Sequence, residues 1–197
     1  MKKTLKKNII EYGIIGAVFI GLFVTGLHTE VLGFLQRGIL ATGLMNPETD
    51  EKAELAMTSP SKSDILDFEL INSKREKVNL EQFRGKVIFL NFWATWCPPC
   101  IAEMPGINNL YEEIKGKQVE LVMVSFDRDF EKAKDFRKKK GYDFEIYRAT
   151  GRVPSAFSSN SLPTTYVIDA QGNLALTHLG MGNFDTKDFK DFLEKLQ

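Results

Sequence analysis

The chain predicts an α/β fold with a mixed central sheet and helices on both faces, preceded by an N-terminal hairpin and a single transmembrane helix. Three observations carry that prediction. Two apolar runs, Lys86 to Trp93 and Val119 to Ser125, read as buried strands. Each is followed by a helix-like stretch, Pro98 to Lys115 and then Phe130 to Lys140, so strand and helix alternate. A terminal strand pair, Thr164 to Asp169 and Leu174 to Leu179, meets at the turn Ala170-Gln171-Gly172-Asn173 and makes the sheet mixed.

The N-terminus comes first. Lys2, Lys3, Lys6 and Lys7 lead into Ile9 to Leu27, which is apolar apart from Glu11-Tyr12 near its start. As a helix this run is roughly 28 Å long at about 1.5 Å per residue, which just crosses a hydrocarbon core of about 30 Å. The lysines before it and His28-Thr29-Glu30 after it predict a cytoplasmic N-terminus and an extracytoplasmic, periplasmic C-terminal domain on a single-pass anchor. A cleaved signal peptide has the same charged head and apolar body. No A-x-A type site follows Leu27, however, and the run is long for a signal. Either way the folded domain lies outside the cytoplasm. Residues 1–8 are then a basic cytoplasmic N-terminus, 9–27 the anchor, 28–63 a juxtamembrane segment and linker, and 64–197 the folded domain. Within the juxtamembrane segment, Val31 to Met45 stays rather apolar around Gln36 and Arg37. It reads either as an interfacial helix on the membrane surface or as a semi-ordered connection. Asn46 to Ser63 is small, polar and proline-containing, as a linker is.

In the folded domain, Phe68-Glu69-Leu70-Ile71 and Lys77-Val78-Asn79-Leu80 flank Asn72-Ser73-Lys74-Arg75 as a hairpin. Gly85 stops the segment that follows. Gly116 and Gly141 stop the two crossover helices. Phe130, Ala133 and Phe136 give the second helix an inner face, and its charge run is a solvated face. Phe144 to Tyr147 is a short strand. Thr186 caps a last helix striped with Phe189, Phe192, Leu193 and Leu196.

At 197 residues with 43% hydrophobic content, the chain has enough material for one domain with a real core plus an appendage. Its formal net charge is zero, so nothing argues for a nucleic-acid partner. Its two cysteines stand three residues apart in Trp96-Cys97-Pro98-Pro99-Cys100, where a buried strand gives way to a helix. That placement is the mark of a thiol–disulfide redox centre. A structural zinc site needs four ligands, and His28 and His178 do not supply a second close-spaced pair. As a structural staple the bond would close a loop of two intervening residues, and loop-closure stabilisation grows with loop length.

The stretch Asn91 to Pro105 (NFWATWCPPCIAEMP), with Leu162 to Asp169 (LPTTYVID) downstream, resembles the thioredoxin superfamily. Within it the chain is similar to the membrane-anchored TlpA/ResA/DsbE-like branch, over roughly Asp64 to Gln197. The resemblance implies a thioredoxin fold and a redox-active Cys97–Cys100 disulfide. Cys97 is the attacking thiol, Cys100 the resolving thiol, and Pro163 a cis proline facing them. Trp96, Pro98, Pro99, Leu162, Pro163 and Thr164 are then the candidate substrate-binding residues.

The physics of the motif agrees. A helix N-terminus favours an anion, and such settings lower a cysteine pKa from about 8.5 towards about 7. Cys100 shares a helix face with Cys97. Pro98 and Pro99 suit a first helical turn but remove two N–H groups from the sulfur, which favours a reductant over a strong oxidant. Asn91 stands where cytoplasmic thioredoxins carry a buried aspartate. Glu103, one turn beyond Cys100, is therefore the candidate for managing the protons of Cys100. Pro105 is expected to kink the helix.

The expected activity is that of a protein-disulfide reductase. The expected partners are protein disulfides, with apocytochrome c and cytochrome c maturation as what the resemblance implies. No flavin or nicotinamide motif is present, so no cofactor is expected and electrons have to come from a membrane thiol donor. A Cu(I)-binding assembly factor on the same fold is the alternative, with His178 as the added ligand to the two cysteines. A thiol peroxidase is a third class, but the usual setting of a single peroxidatic cysteine is missing.

Overall fold

The computed structural model describes residues 2–25, 27–40, 45–47 and 65–197. Helices α1 (Lys2–Val24) and α2 (Leu27–Leu40) precede the domain. Its elements run β1 (Glu69–Asn72), β2 (Lys77–Asn79), β3 (Val87–Trp93), α3 (Pro98–Ile114), β4 (Val119–Ser125), α4 (Phe130–Lys140), β5 (Ile146–Ala149), β6 (Thr164–Ile168), β7 (Leu174–Leu179) and α5 (Lys187–Lys195). One seven-stranded sheet holds them in the order β2-β1-β5-β4-β3-β6-β7. The β3–β4 and β4–β5 pairs are parallel and the others antiparallel. The expected hairpin β1–β2 is thus no separate module, because β1 pairs with β5 and β2 forms one edge of the sheet.

Every residue of β3 is buried, as a central strand covered on both faces requires. Val87, Phe89 and Trp93 point to one face, where they meet Ile107 and Leu110 of α3, Phe130 and Ala133 of α4, and Phe189 and Leu193 of α5. Ile88, Leu90 and Phe92 point to the other, against Ile65, Leu66, Phe68, Leu80 and Phe157. The predicted helices on both faces are therefore unequal. All three long helices of the domain share one face. The other is covered by helical residues 65–66 and by 3-10 turns at Leu80–Phe83 and Ser155–Phe157. Connection handedness explains this: two successive right-handed crossovers that step the same way along the sheet land on the same face.

Local chemistry sets the boundaries. The Asp129 side chain accepts the Glu131 N–H at the start of α4, and Gly141 ends it at φ 68°. The Thr186 hydroxyl accepts the Phe189 N–H at 3.2 Å to open α5. β5 begins at Ile146 rather than at the expected Phe144. There the Glu145 carboxylate accepts the Ile146 N–H at 2.8 Å and pairs with Arg137 at 3.2 Å, a local bond that competes with the ladder.

Of the span expected over 9–27, residues 9–24 belong to α1, which starts at Lys2 and ends at Val24, while residue 26 lies outside the described residues and Leu27 opens α2. The Thr25 hydroxyl donates back to the Gly21 carbonyl at 2.7 Å at its end. Among the described residues, no helix is long and apolar enough to cross a membrane. Of the segment expected as an interfacial helix or loose connection, 31–40 belongs to α2, 41–44 lies outside the described residues, and Met45 is described. Most of the expected linker, 48–63, also lies outside them.

Candidate active site

β3 runs straight into the cysteine motif. After Trp93, the loop Ala94–Cys97 leads to Cys97, whose backbone is extended and whose side chain caps α3. Pro98 and Pro99 fill the first two helical positions and bring no amide. The first N–H the helix can offer a sulfur is that of Cys100, and it donates to Cys97 Sγ at 3.3 Å. Cys97 and Cys100 form a disulfide, with Cα atoms 5.3 Å apart. Both are buried, whereas Trp96 beside them is 59% exposed.

An acidic clamp fixes this loop. Asp127, two residues past β4 and buried, accepts three bonds: from Thr95 N–H at 3.0 Å, Thr95 Oγ1 at 2.6 Å and Ser125 Oγ at 2.9 Å. Sequence reading missed Asp127 and Thr95. The signal was an acid just beyond the C-terminal end of a buried parallel strand, where an α/β sheet builds its sites.

Glu103 is wholly buried on the inner side of α3. Asn91 Nδ2 donates to Glu103 Oε1 at 2.9 Å and the Gly182 N–H donates to Oε2 at 3.0 Å. Asn91 Nδ2 also reaches Thr165 Oγ1 at 2.9 Å, while Asn91 Oδ1 is buried without a partner. Burial pushes the Glu103 carboxyl from 4.5 up to about 8, against the opposing pull of the Gly182 and Asn91 bonds. The carboxyl therefore holds its proton at neutral pH. Gly182 is confined to glycine: a Cβ there would lie 2.5 Å from Phe184 Cζ.

The Leu162–Pro163 peptide bond is cis. Phe92 pairs with Thr164, so Pro163 falls beside the end of β3 from which the cysteine loop departs. The Pro163 carbonyl accepts the Gly180 N–H at 2.9 Å. Leu162 packs on the cluster that holds both cysteines. Pro98 and Pro99 are half-buried. The Thr164 side chain is buried and engages the Ser161 carbonyl at 2.9 Å and Ser159 Oγ at 2.8 Å. It shapes the proline loop from within. His178, the copper candidate, lies in β7 with Nε2 3.3 Å from the Met181 carbonyl. Among the described residues no group of three or more His, Cys, Asp or Glu side chains could hold a metal ion.

A mixed sheet with a buried Cys-x-x-Cys disulfide at the head of the central crossover helix, opposite a cis proline, defines a thioredoxin-fold thiol–disulfide oxidoreductase. The chain belongs to the AhpC/TSA family, whose model matches residues 62–177. It is 33% identical over 173 residues to the thiol-disulfide oxidoreductase ResA of Geobacillus kaustophilus, covering 87% of this chain and 95% of that one. The ResA of Bacillus thuringiensis subsp. konkukian is 33% identical over 126 residues, 64% of this chain and 69% of the relative. Among solved structures, a thioredoxin-family thiol:disulfide interchange protein of Chlorobium tepidum superposes with a TM-score of 0.59 at 25% identity. That match covers 71% of this chain and 99% of the other.

Proposed function

We propose that this oxidoreductase is a membrane-tethered reductant of protein disulfides working outside the cytoplasm, with Cys97 attacking and Cys100 resolving. One observation carries the reading. Cys97 Sγ sits at a helix start and receives the Cys100 N–H, while the Glu103 carboxyl lies buried one turn past Cys100, where burial raises its pKa.

In the reduced enzyme, Cys97 thiolate attacks one sulfur of the client disulfide. A Cys97–client bond forms, and the client's other sulfur leaves as a thiolate and takes a proton. Cys100 then gives up its proton and attacks Cys97 Sγ. This re-forms the Cys97–Cys100 disulfide and frees the second client thiol. Two electrons pass to the client, and a membrane thiol donor returns them. The ionised form of Glu103, reached when its resting proton is lost to water, takes the proton of Cys100 during resolution. Trp96, Pro98, Pro99 and Leu162 line the approach of an extended client segment, with backbone beside Pro163 as its pairing edge.

Tethering is supported by the lysine-headed sequence of α1 and by its exposed apolar side chains, among them Ile14, Ile15, Val18, Ile20 and Val24. The resemblance of the two motifs to the TlpA/ResA/DsbE-like branch makes apocytochrome c, in cytochrome c maturation, the first client to try. The test is trapping. A Cys100→Ala variant expressed in full length should hold its client on Cys97 as a mixed disulfide in the membrane fraction. Recovery of the variant in soluble cytoplasm without any adduct would defeat the proposal. A redox titration of the intact enzyme checks direction, because a potential near about −120 mV would mark an oxidant instead.

A further inference from the structure

Helix α2 is built inside out. Its inward face carries Thr29, Gly33, Gln36, Arg37 and Leu40, and this face packs on α3. At Gly33 a Cβ would stand 3.3 Å from Ile101 Cγ2 and 3.4 Å from the Pro98 carbonyl oxygen, so the missing side chain lets two helices meet next to the cysteine motif. Leu40 closes the far end against Ala102 and Met181, and in the chain beyond the Met45 carbonyl accepts the Asn183 N–H at 2.9 Å. Gln36 Oε1 and Arg37 Nε are buried without hydrogen-bond partners.

The outward face is the apolar one. Val31, Leu32, Phe34, Leu35 and Ile39 are 46–70% exposed. A helix on a water-facing domain turns the opposite way, with its apolar stripe inward. Polar atoms left without partners and apolar side chains held outward make sense together only if the outer face does not meet water.

We propose that α2 is an adaptor between the bilayer and the redox helix. Its outer face lies in the headgroup–acyl boundary while its inner face grips the N-terminal half of α3. The occupant is lipid because the patch continues one already on the chain. α1 ends at Val24 with exposed apolar side chains, and α2 starts at Leu27. An interfacial helix needs an apolar face of this kind and no matching partner geometry. The inference rests on the tethering reading above and adds to it a fixed seat for the active site at the membrane surface.

Depth-dependent quenching tests it on the full chain in phosphatidylcholine–phosphatidylglycerol vesicles. In the oxidised protein both native cysteines are tied up, so one introduced cysteine carries the fluorophore. Leu35→Cys reports the outer face of α2, Ile15→Cys reports α1, and Lys74→Cys in the exposed β1–β2 turn is the reference. Doxyl-labelled lipid should quench positions 35 and 15 several-fold more than 74. Quenching at 15 but not at 35 overturns the proposal and leaves tethering intact, whereas quenching at neither overturns both. Shielding of position 35 from doxyl lipid and aqueous iodide alike would mean a protein partner and also overturns it. For the inner face, Gly33→Leu should speed amide exchange across residues 100–103 several-fold while position 35 stays in lipid. Unchanged exchange there would overturn the grip on α3.

Discussion

Replacing Glu103 by Gln isolates the buried proton. The native carboxyl is raised from 4.5 to about 8 by burial. Between those values the folded protein keeps a proton that the unfolded chain has released, so stability falls as pH rises across that window. The loss is complete once the pH passes the folded value. At about 1.36 kcal/mol per pH unit the gap amounts to about 5 kcal/mol, comparable with the whole stability of a small domain at about 5–15 kcal/mol. Gln cannot ionise and so loses this dependence. Its amide nitrogen donates and accepts no hydrogen bond, so one of the two N–H groups that now end on the carboxyl, from Asn91 and Gly182, would face another donor. Turning over the Asn91 amide relieves the conflict, because the partnerless Oδ1 then accepts from the new amide. In urea unfolding of the oxidised full chain, Glu103→Gln should match the native protein to within about 1 kcal/mol at pH 5. It should exceed it by about 2–5 kcal/mol at pH 9. Parallel stability–pH curves for the two proteins would refute the placement of that proton.

Other outcomes follow from the same geometry. Gly182→Ala drives a Cβ into the Phe184 ring and displaces the N–H that serves Glu103; it should cost about 1–3 kcal/mol by thermal or urea unfolding. Asp127→Ala strands the Thr95 amide and two hydroxyls. It should destabilise by about 1–3 kcal/mol and slow disulfide exchange with a model protein disulfide, with Asp127→Asn recovering part of both. Thr186→Ala removes the cap of α5 and should cost about 1 kcal/mol, leaving the exchange rate unchanged.

Strong local signals made much of the fold legible in the sequence. Val119–Ser125, Phe130–Lys140 and Leu174–Leu179 fall where periodicity and glycine stops put them, because burial and capping are local signals there. β5 slipped by two residues because the Glu145 side chain, not hydropathy, decides where the ladder begins. At the site, the spacing of Cys97, Cys100 and Glu103 on one helix was readable. The partners of Glu103 were only half so: Asn91 stood in the motif, but the Gly182 N–H comes from far along the chain and carries no side-chain signature. Thr164 stood in the motif, but the bonds of its hydroxyl to Ser159 and Ser161 depend on the loop's fold and were not legible. The packing of α2 on α3 was out of reach, since the sequence left this segment open between an interfacial helix and a loose connection, and the contact at Gly33 carries no side-chain signal.

The stacking of α2 on α3 also has a directional consequence. With the sheet beneath it and a helix above it, the redox helix is an interior layer whose flanks are closed from Ile101 and Ala102 onward. Among the described residues, the exposed group beside the buried disulfide is the Trp96 indole. On the function proposed above, a loose strand or a protruding loop would reach the Cys97 sulfur past that indole more readily than a flat folded surface would.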